Sequence, residues 1–167
     1  MNGLILLAAL LSSTAPSPHL RGDRLAESLL AIHNRERADV GVPPLVWDER
    51  LAAEAASYIP DLIDLGDLEH SDEAMEGETG ENLSMGTDGH YSPEDLVQLW
   101  VDERSIFTPG IFPNVSRTGD WSEVGHYTAM VWRDTTQVGC AVGAGGGDLY
   151  LVCRYLPAGN VISERVY

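Results

Sequence analysis

Glu103 is the side chain whose placement demands the most explanation in this sequence of 167 residues. It stands seven positions after Leu96, nearly two helical turns, in a stretch that Ser92-Pro93-Glu94-Asp95 opens as a helix. Serine serves as N-cap, proline sits in the first turn, and an aspartate lies three residues past the cap. Leu96, Leu99, Trp100 and Phe107 share the face that carries Glu103, whereas Asp102 points the other way. A carboxylate turned toward a core must be paired, hydrogen-bonded, protonated or metal-bound, because an isolated buried charge is very costly. The alternative is a rim position from which the chain snorkels into water.

Five histidines could supply a partner. His19 belongs to the N-terminal tail, and His90 to a solvated turn with Gly89, Tyr91 and Ser92. His33 lies on the apolar face of a first helix beside Asn34 and reads as a hydrogen-bonded core residue. His70 is flanked by Glu69 and Asp72, and His126 opens an apolar run that ends at Trp132. No two are one helical turn apart, so spacing alone does not define a metal site. Scattered histidines are ordinarily structural.

The two cysteines, Cys140 and Cys153, bracket a glycine-rich segment. A two-residue Gly146-Gly147 hairpin turn pairs residues whose numbers sum to 293, and 140 plus 153 is 293. That register sets the two Cβ atoms opposite each other across an antiparallel pair, within disulfide reach. Other registers of the glycine run leave two buried thiols as the alternative.

The elements that must position these groups follow from the pattern of apolar residues. From Asp23, Leu25, Leu29, Ile32, His33 and Glu36 mark one helical face after a polar lead-in over 16–22. Gly41 and Pro43-Pro44 end that helix. Asp48 caps a second helix with Leu51, Ala55, Ile59 and Leu62 on one side, and Pro60 predicts its end or a kink near Ile59. Glu81–Met85 reads as a short strand. The third helix runs from Ser92 to about Phe107, and 108–122 is a loop. His126–Trp132 is a short helix or strand, and strands over 137–143 and 148–155 form the hairpin. This order predicts an α+β fold, an antiparallel sheet covered by helices.

Composition narrows the function. At roughly 100–200 residues per domain, the chain forms one domain. Its 26 acids against 10 basic residues, all arginine, give a formal charge of −16. Such a surface repels phosphate backbones and anionic lipid, which argues against nucleic acid and membrane-surface partners. No glycine-rich phosphate loop precedes a helix. Residues 1–15, with apolar Leu4–Leu11 and small residues after it, read as a secretory signal, with an exposed apolar tail as the alternative. The apolar run is too short to span a bilayer, and no later segment could cross one.

Several segments, in order along most of the chain, resemble the CAP superfamily of cysteine-rich secretory proteins, antigen five and plant pathogenesis-related proteins. They are His33-Asn34 with Arg37 and Pro44-Leu45-Val46-Trp47, His70-Ser71 with Gly80-Glu81-Asn82-Leu83, and Trp100-Val101-Asp102-Glu103. His126-Tyr127-Thr128-Ala129-Met130-Val131-Trp132 and Cys153–Asn160 complete the set. The resemblance implies a CAP (SCP-like) domain over 23–167, folded as a three-layer α-β-α sandwich around a central antiparallel sheet. It implies a cleft in which His70, Glu81, Glu103 and His126 meet and can bind zinc or another divalent cation. Ser71 and Asn82 stand behind them as hydrogen-bond donors, and Tyr127 and Trp132 pack the core. The implied protein is secreted or periplasmic, with a small-molecule or lipid ligand. An alternative is a metal-dependent hydrolase using Glu81 or Glu103 as general base, and another is a purely structural or signalling extracellular domain. The chain departs from the family pattern in having one candidate disulfide, no cysteine-rich C-terminal extension, and Pro60 in its second helix.

Overall fold

The structure, a computed structural model, describes residues 18–75, 77 and 79–167, with side chains from Arg24 onward except at Met75. The expected signal at 1–15 lies outside the described residues. Helix α1 spans Pro18–Val40, so the expected polar lead-in is helical from Pro18, whose fixed φ suits a first helical position. Gly41, at φ +76°, ends it in the left-handed conformation that glycine adopts without strain.

Strand β1 (Val46–Trp47) precedes α2 (Glu49–Leu65), and a short α3 (Asp72–Met75) leads to β2 (Gly80–Thr87). Helix α4 (Pro93–Asp102) runs on into a 3₁₀ turn at Glu103–Ser105, and a second 3₁₀ turn (Trp121–Val124) feeds α5 (Gly125–Met130). The segment at 126–132, open to helix or strand from sequence, is thus mainly helical. Strands β3 (Gln137–Gly145) and β4 (Asp148–Leu156) close the fold.

The sheet order is β1-β3-β4-β2. The three long strands are antiparallel as expected, but β1 pairs parallel to β3, so the whole sheet is mixed. Two residues carry too little periodicity to announce a strand. The β3–β4 hairpin has the register in which paired numbers sum to 293, placing Cys140 opposite Cys153 with Cα atoms 4.1 Å apart, and a disulfide joins them.

Helices cover both faces. On one, Ala55, Ile59 and Leu62 of α2 pack with Leu83, Ala141, Tyr150 and Val152. A methyl group at Gly139 would collide with the backbone of Asp48 and Ala52, so the missing side chain lets α2 lie directly on β3. Pro60, expected to end or kink the helix, does not end α2, which continues to Leu65. It is exposed, while its neighbours Ile59 and Leu62 are buried against the sheet, and that packing holds the helix to Gly66, whose N–H reaches the Leu62 carbonyl at 2.9 Å.

The opposite face carries the larger core, with Leu29, Leu96, Trp100, Tyr127 and Trp132 against Leu151 and Tyr155. Buried Arg37 of α1 fastens this layer by donating to the carbonyls of Pro43, Met130, Trp132 and Thr135 at 2.6–3.0 Å. Leu99 is a correction: at 46% exposure it lies outside this core, on the edge of the α4 face. Helix α4 also stops at Asp102, short of the expected Phe107, yet Phe107 remains buried through the chain that follows.

Candidate functional site

The four residues implied for the cleft form two imidazole–carboxylate pairs. At the first, Glu103 sits where α4 tightens into its 3₁₀ turn, and one oxygen accepts from His126 Nδ1 at 2.6 Å. The other accepts the Tyr127 backbone N–H at 2.9 Å. The carboxylate thereby also satisfies a free N–H in the first turn of α5. Trp100, three residues before Glu103, stacks on the His126 ring at 5.9 Å between centroids, and its indole N–H donates to the Leu83 carbonyl at 3.2 Å. The core-facing acid therefore has its partners, and its side chain is 16% exposed.

At the second pair, Glu81 of β2 is fully enclosed. Its Oε1 accepts from His70 Nδ1 at 2.8 Å and from the Ser71 N–H at 3.1 Å. Its Oε2 accepts from Ser71 Oγ at 3.1 Å and pairs with Arg154 Nη2 at 2.9 Å. Burial alone would raise the Glu81 pKa. The His70 hydrogen bond, the Arg154 charge and the Ser71 N–H outweigh it and hold the carboxyl below its usual range. A carboxylate offers about four lone-pair sites, and all four are occupied here.

An ionised carboxylate only accepts hydrogen bonds, so Nδ1 of each imidazole carries the proton it donates. When neutral, each ring then has its remaining lone pair on Nε2. His70 is 48% and His126 34% exposed.

The pairs flank β2, an edge strand, at consecutive residues. Glu81 lies opposite Arg154 and shares the α2 face with Leu83 and Val152, while Asn82 lies opposite Cys153 and faces the other layer. The Asn82 amide donates to the His126 carbonyl at 3.0 Å and to Tyr155 Oη at 3.1 Å. Tyr155 in turn contacts His33 Nε2 at 2.9 Å. Ser71 thus donates to Glu81, and Asn82 to the main chain of His126. Among the described residues, no group of three or more His, Cys, Asp or Glu side chains converges in an arrangement that could hold a metal ion.

Two residues of this assembly stood in the Cys153–Asn160 run without a role of their own. Arg154 and Tyr155 adjoin Cys153 in a strand of mostly buried residues. An arginine at an inward-facing strand position needs a buried anion, and that signal could have found it. Burial, partly offset by the Asn82 hydrogen bond, raises the Tyr155 hydroxyl pKa far above its ordinary value, so it remains a neutral donor.

A cavity of about 570 Å³ opens beside His70, between α2 and the chain around residues 69–73. Its walls include Tyr58, Asp61, Glu69, Asp72 and Arg154, a polar lining that suits a polar ligand better than a lipid. Neither His126 nor Glu103 lines it.

A sheet between two helical layers, carrying two imidazole–carboxylate pairs at one edge strand, defines the class of protein. A profile of the cysteine-rich secretory protein family matches residues 30–155, and the chain belongs to this CAP family. It is 36% identical over 169 residues to pathogenesis-related protein 1B of Nicotiana tabacum, covering 100% of this chain and 95% of the relative. With pathogenesis-related protein 1 of Arabidopsis thaliana it shares 37% identity over 142 residues, covering 84% and 81% of the two chains. The fold is similar to that of NaASP2, crystallised with Zn2+, at a TM-score of 0.67 and 23% identity, covering 87% of this chain and 85% of the other. Venom allergen-like protein 4 of Schistosoma mansoni aligns at 0.62 and 23% identity, covering 86% and 93%. Among the described residues, no helix is long and apolar enough to cross a membrane.

Proposed function

We propose that this CAP-domain protein is secreted and works as a binding module in which His70 and His126 present Nε2 to one divalent cation, zinc being best matched. The observation that carries this reading is the common geometry of the two pairs. In each, Nδ1 is committed to a carboxylate, which fixes the tautomer and orients the ring with Nε2 free to act as a ligand. Neutral imidazoles suit zinc chemically. Glu81 and Glu103 orient the rings, and water or a ligand of the cation completes the coordination. The reading is supported by NaASP2, a protein of similar fold crystallised with Zn2+. Secretion is supported by the family itself, described as one of secretory proteins, and nothing favours the periplasm.

For hydrolysis, Glu81 is unsuited as general base, since His70, Ser71 and Arg154 use its lone pairs. Glu103 accepts two hydrogen bonds and retains capacity, but no further observation favours that role.

Isothermal titration of the metal-free protein with zinc at neutral pH tests the proposal. We expect one saturable site, lost alike in His70→Ala and His126→Ala, and weakened about 10–100-fold in Glu103→Ala. Absence of binding, or a site that survives either histidine substitution, refutes it.

A further inference from the structure

Four large apolar side chains, Ile111, Trp121, Val161 and Ile162, are between 39% and 64% exposed and come from two segments that meet around Phe112. The Phe112 N–H donates to the Glu164 carbonyl at 2.8 Å, and its carbonyl accepts from the Ser163 N–H at 2.9 Å. Its ring meets the Trp121 ring edge to face, 5.1 Å between centroids. Ile111, the residue before it, bridges to Arg165. Ser163 holds φ +69°, a left-handed conformation that is costly for an L residue, so its contact with Phe112 and not local preference shapes the turn that leaves Val161 and Ile162 outside. Apolar residues gathered in this way, unlike single ones, mark a surface that is covered in use.

Charge decides what covers it. The segments that build the patch, 105–133 and 157–167, hold Arg117, Arg133 and Arg165 against Asp120, Glu123 and Glu164. They are neutral but for the terminal carboxylate, so the formal charge of −16 lies elsewhere on the chain. All six charged residues are exposed, and none is in an ion pair among the described residues. A face with equal numbers of unpaired charges of both signs can complement itself, which is what a two-fold interface between identical chains requires. An anionic membrane repels the molecule as a whole, and a neutral one would strip water from charged groups without supplying partners. Joining the neutral faces also keeps the two acidic bodies apart.

We propose that this face joins two copies of the chain in a two-fold dimer, with Ile111, Trp121, Val161 and Ile162 at its centre and the arginines and acids at its rim. Four such side chains make a contact of the transient class, not an obligate one. The inference goes beyond the cation reading and stands without it.

Sedimentation equilibrium of the secreted protein, without the expected signal at 1–15, tests it over a range of concentrations at about 20, about 150 and about 500 mM salt. Chelator is present throughout, so that bound metal plays no part. We expect a monomer–dimer equilibrium that tightens as salt rises, because salt screens the repulsion between two chains of like net charge and leaves apolar contact intact. Trp121→Ser/Ile162→Ser should weaken dimerisation about tenfold or more. Ile162→Ser alone should weaken it about threefold or more, and it decides the matter if loss of the Trp121 ring disturbs Phe112. Val46→Ser/Leu65→Ser, which removes equally exposed apolar side chains elsewhere, should change it less than about twofold. A chain that stays monomeric throughout, a dimer that weakens with salt, or equal losses in the two double variants overturns the proposal. Uptake of the monomer by phosphatidylcholine vesicles, with no dimer in their absence, overturns it in favour of a lipid surface.

Discussion

Acidification from pH 7 to pH 4 should cost the fold about 3 kcal/mol through one side chain, His33. Its ring is wholly buried, with Nδ1 donating to the Leu29 carbonyl at 2.8 Å and Nε2 facing the Tyr155 hydroxyl at 2.9 Å. With Nδ1 as the donor, Nε2 accepts from Tyr155, whose oxygen accepts from Asn82. A second ring proton would break this chain of bonds. Burial lowers the His33 pKa to about 4. The Leu29 carbonyl opposes the shift, and the Arg37 charge adds to it. The folded value is below the unfolded one, so the unfolded state takes up the proton first. Stability is therefore full above about pH 6.5 and falls as the pH drops toward 4. With those two values the loss is about 2 kcal/mol at pH 5 and about 3 kcal/mol at pH 4. Urea unfolding of wild type and His33→Gln at pH 7, 5 and 4 measures it. Groups common to both proteins cancel in the difference, so the stability of wild type relative to His33→Gln should shrink by these amounts. A difference that stays constant across the range refutes the claim that His33 is buried and neutral. The consequence reaches the site, because Asn82 in the same network holds the His126 carbonyl.

Two further outcomes follow from packing and covalent structure. Gly139→Ala places a methyl group against the backbone of Asp48 and Ala52, which cannot rotate away. It should destabilise by about 3 kcal/mol, lowering the melting temperature by roughly 10 °C, and an unchanged melting curve would contradict the close approach of α2. Replacing Cys140 and Cys153 together by alanine removes a cross-link between residues 13 apart. The loop-entropy relation gives a loss of about 3 kcal/mol, read by urea unfolding, and equal stability with and without the bond would show that the denatured chain gains no freedom from its removal.

Much of the architecture was legible because local chemistry agreed with the final packing. Asp48 caps α2 by accepting from the Arg50 and Leu51 N–H groups, and Ser92 and Asp95 form a reciprocal cap at α4. The Gly146-Gly147 turn set a hairpin register that carried the cysteine pair with it. The errors share one cause. Of the two outcomes Pro60 allows, an end or a kink, the end is overruled, and Val46–Trp47, too short to show any period, is likewise decided by neighbours distant in sequence. Ile59 and Leu62 hold α2 against the sheet past the proline, and β3 supplies hydrogen bonds to β1. Likewise Leu99 fits the helical face of Leu96 and Trp100 but lies exposed at its margin, because the width of that face depends on what packs against it.

For the site, the sequence by itself determined that Glu103 needed company, that His33 belonged in the core, and, through family resemblance, that His70, Glu81 and His126 were the other candidates. Only the tertiary structure decided how they pair. Glu103 joins His126 across 23 residues, and Glu81 takes His70, Ser71 and Arg154 at once. Periodicity records which way a side chain points along its own element. It says nothing of which distant element stands opposite, and hydrogen bonds of about 3 Å are made only when the sheet and both helical layers have fixed those distances.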